Sequence, residues 1–261
     1  MKPFASRILP VVMILMSGVI LSAIPSPAQN GPASSPAYLY KTTFLRAAPG
    51  KLIDLIDVLK ARMAVYDAAG DERPLWWRHT QGDHWDLMLL FPMGSYAEYY
   101  SAERVARRTS AAAAASLPQL EFLDRLNACV SWKEDLFVTG PPLGKVKPVF
   151  LAAAYYHIEI MAALPGKQAE LHRERERENI YQAGTGRPET MIFVRDQGAS
   201  WDIFTLGCYR DLAHWADSSG VTKEQKEAAA RKAGFKSAEE IGPYMRSLID
   251  FHRDTMGVAI K

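Results

Sequence analysis

Apolar positions recur along this chain in short crowded runs separated by longer, spaced patterns. Over residues 38–46 (YLYKTTFLR) and 149–161 (VFLAAAYYHIEIM), β-branched and aromatic residues form runs that are short for a helix, which predicts strands. Pro-Gly-Lys turns the chain after each, and helices are predicted over about 51–69 and 167–183, stopped near Gly70 and Gly184. Two further pairs of short runs, 74–80 with 84–92 and 190–196 with 200–208, flank Gln-Gly turns and predict hairpins. Second helices should open at Ser95 and near Asp211, both good N-caps. A further amphipathic helix is predicted over 117–138 and again over 238–257, the latter opened by the capping-box pattern Ser237-x-x-Glu240. Ala111 to Ala115 either extends a helix or forms a flexible loop.

The two series share one register. Pro49-Gly50-Lys51 recurs as Pro165-Gly166-Lys167, a shift of 116, and the same ungapped shift joins Tyr40 to Tyr156, Leu55 to Leu171, Gln81-Gly82 to Gln197-Gly198 and Trp85-Asp86 to Trp201-Asp202. The last predicted helices match at a shift of 119, through Trp132-Lys133 with Asp135 and Phe251-His252 with Asp254. A period this long reads as a duplicated β-α-β-β-α unit rather than a solenoid. The expected organisation is a first unit over 37–138, a turn-rich linker over 139–147 around Gly140-Pro141-Pro142, and a second unit over 148–261.

Ahead of these, residues 1–28 carry Lys2 and Arg7, an apolar run from Ile8 to Ile24, and Ser26-Pro27-Ala28 before Gln29, the layout of a cleavable export signal. An uncleaved anchor is the alternative, and Pro10, Gly18 and the polar Asn30 to Ser35 stretch favour cleavage and a periplasmic or secreted protein, with 29–36 a flexible N-terminus. The whole chain is formally +2, and losing the leader removes two cations and no acid, so the remainder is neutral. With no basic stripe, a nucleic-acid partner is not expected, nor a membrane partner after cleavage; a homo-oligomer stays open. In an oxidising compartment Cys129 and Cys208 could pair, or lie buried separately as thiols.

The order of elements, a strand running into Pro-Gly-Lys and a helix, and an aromatic third strand resemble the dimeric α/β-barrel superfamily of ferredoxin-like units. Tyr156-x-Ile158-Glu159, Pro165-Gly166-Lys167 and Trp201 look most like its NIPSNAP type. The resemblance spans roughly 38–106 and 149–217, and no fourth strand is evident in either unit, whereas the superfamily has one. It implies an α+β fold in which two tandem units pack sheet to sheet as an intramolecular barrel, with an extra C-terminal helix per unit. It also implies an inter-sheet cavity, used in the superfamily by cofactor-free monooxygenases, by haem proteins and by members without known catalysis.

Strand alternation supplies candidates for that cavity. Tyr155, His157 and Glu159 share one face, Tyr156, Ile158 and Ile160 the other; packing the apolar set under the helices would aim His157 and Glu159 between the sheets. A carboxylate can fix the imidazole tautomer of a neighbouring proton shuttle, which makes His157 and Glu159 the candidate catalytic pair. Their counterparts are Lys41 and Thr43. His79 and Arg195 occupy one repeat position on the hairpins, so Arg195, His79, Tyr155 and Lys41 are candidate substrate contacts, set against a structural ion pair or a snorkelling arginine. Asp86 and Asp202, kept in both units, read as structural acceptors for loop N–H groups or an arginine. Helix 167–183 alternates charge from Glu170 to Glu178, which predicts a solvated, salt-bridged surface. No organic cofactor or metal is expected; a non-covalent haem would need an axial imidazole from His157, His214 or His252, and on a helix His252 and Asp254 would not share a face. The reading is an exported protein for a small, partly apolar molecule, either a cofactor-independent oxygenase or a non-catalytic binding or assembly module.

Overall fold

The computed structural model describes residues 37–217 and 220–260; the leader and the 29–36 stretch lie outside them. The first half runs β1 (Tyr38–Ala47), α1 (Leu52–Ala69), β2 (Leu75–Gln81), β3 (Leu87–Gly94), α2 (Tyr96–Tyr99), α3 (Ala102–Ala113), α4 (Gln119–Cys129) and β4 (Val130–Gly140). After α5 (Leu143–Ala152), the second half runs β5 (Tyr155–Ala163), α6 (Gln168–Gly184), β6 (Met191–Gln197), β7 (Ile203–Tyr209), α7 (Leu212–Ala216), α8 (Lys223–Lys232), α9 (Ile241–Arg246) and β8 (Ile249–Ala259). Each half thus has the fourth strand that the sequence pattern did not reveal. The helices expected over 117–138 and 238–257 end at Cys129 and Arg246, and the matching segments beyond them are β4 and β8. Their outward positions are charged because the helices cover that face only in part, so the alternation looked polar rather than half-buried.

All strand pairs are antiparallel, and the order β1-β3-β2-β8-β5-β7-β6-β4 closes into an eight-stranded barrel. Within each half the order is fourth, first, third, second. Closure comes from β2 pairing with β8 and β4 with β6, so each hairpin edge of one half meets the fourth strand of the other. This leaves no open edge to template unwanted pairing.

Alternate residues of every strand fill the interior. Tyr40, Phe44, Trp77, Trp85, Met88, Leu136, Val138, Tyr156, Ile158, Ile160, Phe193, Phe204 and Leu206 form one buried cluster. The segment expected as a linker supplies α5, whose Val146 and Phe150 join that cluster; Phe150 packs edge-on to Trp77, and the Tyr156 hydroxyl donates to its carbonyl oxygen at 2.6 Å. The strand expected from 149 therefore starts at Tyr155. The expected inter-sheet cavity is occupied by these side chains, as small barrels of eight strands require.

The two hairpin turns cross the partner half closely. A Cβ on Gly82 (φ +120) would lie 2.2 Å from the Asp254 carbonyl oxygen, and one on Gly198 (φ +103) 3.1 Å from that of Asp135. Both glycines need positive φ and both face backbone, but at Gly82 the approach is nearly an ångström closer, too short for the neighbouring strand to give way. Cys129 and Cys208 are unpaired and buried in different clusters, and burial pushes the Cys208 thiol up to about 12. Urea unfolding should rank the turns: Gly82→Ala is expected to cost more than about 3 kcal/mol and Gly198→Ala about 1–3 kcal/mol. Equal costs would show that the Gly82 crossing is not what closes the barrel.

Candidate functional site on the outer face of the second half

Because the barrel interior is apolar, strand parity puts Tyr155, His157, Glu159 and Met161 on the outer face of β5, toward the helices. The expectation that His157 and Glu159 point between the sheets is therefore reversed: a closed interior has no route to water and takes the aromatic set, while the helix side is open near α7. Glu159 lies directly across from Asp254 on β8, His157 across from Met256, and Met161 across from His252. On a strand His252 and Asp254 do share a face, so β8 adds two polar groups to the two on β5.

Their contacts form a chain. His157 Nε2 is 2.7 Å from Asp254 Oδ1, and His252 Nε2 is 3.3 Å from Asp254 Oδ2. The hydrogen bond from His157 is the main reason that the Asp254 carboxyl sits below the usual range, against its partial burial. Glu159 accepts from Arg175 on α6 at 3.2 Å and from the Thr205 hydroxyl at 3.4 Å. Arg175 also donates to Glu174 at 2.7 Å and pairs with Glu178. Burial raises the Glu159 and Glu174 carboxyls, with Arg175 pulling the other way. Burial pulls the Arg175 guanidinium down, but Glu178, Glu174 and Glu159 outweigh it and leave it above its ordinary value.

Glu174 and Arg175 are buried, 0% and 5% exposed, which overturns the solvated helix expected over 167–183. The cause lies in 222–246: α8 and α9 lay Ala230, Ala233, Phe235 and Ile241 beside Tyr181 of α6 and cover it from outside. In the first half, α1 packs Leu55, Leu59 and Met63 on Leu45, Leu87 and Leu89. Arg175 and Thr205 stand at the shift-116 positions of Leu59 and Leu89, so a hydrocarbon layer there becomes a charged one here.

A cleft of about 490 Å³ opens beside this chain, lined by Gln81, Gly82, His157, Trp215, Asp254 and Met256. The Trp215 ring centre is 5.9 Å from that of His157. A larger cleft of about 760 Å³ lies elsewhere, by Met63, Trp76 and Phe150 with Lys60, Arg73 and Lys147 on its walls, and none of the predicted site residues lines it.

The other candidates go elsewhere. Arg195 donates to Asp202 Oδ1 at 2.7 Å and to the Ala199 carbonyl oxygen, so it is tied to the hairpin. His79 Nδ1 contacts the Trp85 carbonyl oxygen. Lys41 pairs with Asp135 at 3.1 Å in the first half, and Tyr155 opens β5 across from Tyr209. Asp86 and Asp202 accept from the backbone N–H of Ala47 and Ala163, each at 2.8 Å, matching the structural reading in both halves. Asp254, His252 and Trp215 were not singled out as partners of His157; period-two alternation over 249–259 was the available signal.

Comparison with protein-family models and with curated protein sequences gives no match. Solved structures do match over most of the chain. An anthrone oxidase-like protein is 10% identical, with 87% of this chain and 92% of that one covered and a TM-score of 0.50. A monooxygenase candidate from Lactobacillus acidophilus is 9% identical over 85% and 94%, TM-score 0.46. A haem-binding protein from Thermus thermophilus is 12% identical over 86% and 92%, TM-score 0.43. At these identities the likeness shows the fold alone, that of the dimeric α/β barrels.

The raised Glu174 carboxyl gives the folded chain more bound protons than the unfolded one at pH values above the ordinary glutamate value of 4.5. Its contribution to stability therefore falls as pH rises through that window. In urea unfolding across pH 4.5 to 7, Glu174→Gln should flatten this loss; an unchanged slope would place the proton elsewhere.

Proposed function

We propose that the chain is an exported α/β-barrel protein that binds a small, partly apolar molecule and acts on it by acid–base chemistry, as a monooxygenase-like enzyme. The observation that carries this reading is the His157–Asp254 hydrogen bond at the edge of the cleft walled by Trp215. An ionised carboxylate only accepts, so Asp254 fixes the proton on Nε2 and leaves Nδ1 as the atom that can take one from a ligand. Trp215 and Met256 give the cleft its apolar wall, and its volume suits a compact ligand. Glu159, first paired with His157 by sequence spacing, instead sits one residue pair away and answers to Arg175.

The NIPSNAP-like affinity and the origin of the two halves in one duplicated unit belong to the same proposal. They are supported by hydrogen bonds that repeat at a shift of 116: Asp86 N–H to Leu45 and Asp202 N–H to Met161, His79 N–H to Asp86 and Arg195 N–H to Asp202. The neutral chain left by removal of the leader supports a small-molecule ligand over a nucleic acid. Among the described residues no helix is long and apolar enough to cross a membrane. The proposed chemistry needs no haem.

In calorimetric titrations with hydroxylated aromatic compounds, His157→Ala should weaken binding at least tenfold while the urea midpoint stays put. A lower midpoint with binding unchanged would assign the pair to scaffolding, and a Soret shift on adding haemin would favour a haem protein. The exported form should begin at Gln29 when its N-terminus is sequenced; a retained leader would point to an anchor.

A further inference from the structure

Four positions on the outer face of the barrel can be compared directly between the halves, because the strand registers coincide. β1 pairs with β4 as Lys41 to Phe137, Thr43 to Asp135 and Leu45 to Lys133; β5 pairs with β8 as His157 to Met256, Glu159 to Asp254 and Met161 to His252. His157 therefore stands where the first half has Lys41, Glu159 where it has Thr43, His252 where it has Lys133, and Asp254 where it has Asp135. In the first half the arrangement is self-sufficient. Asp135 is 3.1 Å from Lys41 and 2.7 Å from Lys133, and it accepts from the Thr43 hydroxyl at 2.5 Å. Two ammonium groups more than balance one carboxylate.

In the second half both ammonium groups are replaced by imidazoles, and the hydroxyl by a second carboxylate. Each change exchanges an ammonium group or a weakly donating hydroxyl for a better metal donor, and all of them fall on one patch. One oxygen or nitrogen from each of Glu159, His252 and Asp254 lies within 4.8 Å of the others, the spacing that one ion could gather with small side-chain movements. Charge points the same way. Glu159, Glu174 and Glu178 all pair with a single guanidinium, Arg175, and Asp254 adds a further carboxylate directly across from Glu159. Glu174, fully buried, has an Oε1 atom without a hydrogen-bond partner. Buried carboxylates without compensation are expensive, and a cation on the patch would offset part of that cost.

We infer that the outer face of β5 and β8 binds one divalent transition-metal ion through Glu159, His252 and Asp254, with His157 hydrogen-bonded to Asp254 as the group that orients it. Mixed imidazole and carboxylate donors suit zinc, cobalt, iron or manganese better than magnesium or copper(I). Three protein donors leave coordination positions for water or a ligand. Asp254 is 49% exposed at its side chain, so the patch is open to solvent from the side of the cleft. The inference shares its location with the acid–base reading but not its chemistry, so the two can fail separately.

The test is to strip the purified chain with chelator and titrate it with cobalt(II), reading visible d–d absorption. Absorption should saturate at one ion per chain and be displaced by zinc but not by magnesium. His252→Lys and Glu159→Thr, which place first-half residues on the second half, should weaken cobalt binding at least a hundredfold. His157→Ala, which removes only the orienting hydrogen bond, should weaken it roughly 10–100-fold. Unfolding in urea checks each variant, and the near-isosteric Glu159→Gln replaces any that fails to fold. Absence of a saturable band, or a band that survives both His252→Lys and the Glu159 variant, overturns the metal site. Loss of aromatic-ligand binding in His157→Ala with cobalt binding intact in the parent chain bears on the acid–base reading alone.

Discussion

Strand pairing between the halves is the constraint on which everything else rests. Each four-stranded half ends in two edges, its second strand and its fourth, and neither half can satisfy those backbone groups by itself. Joining β2 to β8 and β4 to β6 pairs both edges of each half and wraps eight strands around a single interior. From that point the interior faces have no access to water, and polar function has to lie outside. The tight crossings at Gly82 and Gly198 show how closely the hairpin of one half must ride over the fourth strand of the other.

The same closure explains which parts of the fold are legible in the amino-acid sequence. The strand-helix-hairpin order, the glycine turns and the paired Asp86 and Asp202 depend on local chemistry, and they appear in the structure where they were expected. The inward or outward sense of a strand does not depend on local chemistry. Alternation on β5 separates Tyr156, Ile158 and Ile160 from His157 and Glu159, but with helices on one side and a barrel on the other, either face could have been the apolar one. Only the joint packing of Trp77, Phe150, Tyr156, Phe193 and Phe204 decides it.

Two further misreadings have one cause, a layer added from distant sequence. Lys133 to Asp135 and Asp250 to Asp254 look like helix surface because their strands carry charge outward, where cover is incomplete. Glu170 to Glu178 look solvated because nothing near them in sequence announces that α8 and α9 will fold over α6. The candidate site is built from both of these segments. Sequence reasoning names His157 and Glu159 as a pair but lacks Asp254, which stands between His157 and His252, since a helix assignment turns it away from His252.

The coincident registers of β1 with β4 and β5 with β8 make the two halves a controlled comparison within one molecule. A barrel assembled from two identical chains would repeat any replacement at Lys41, Thr43 or Lys133 on both sides of its axis. With both halves encoded in one chain, position 41 and position 157 are separate letters of the gene. One half can keep the lysines beside its carboxylate while the other carries imidazoles and a second carboxylate at the same positions. Single-chain construction thus lets one side serve as ballast for the side that changes.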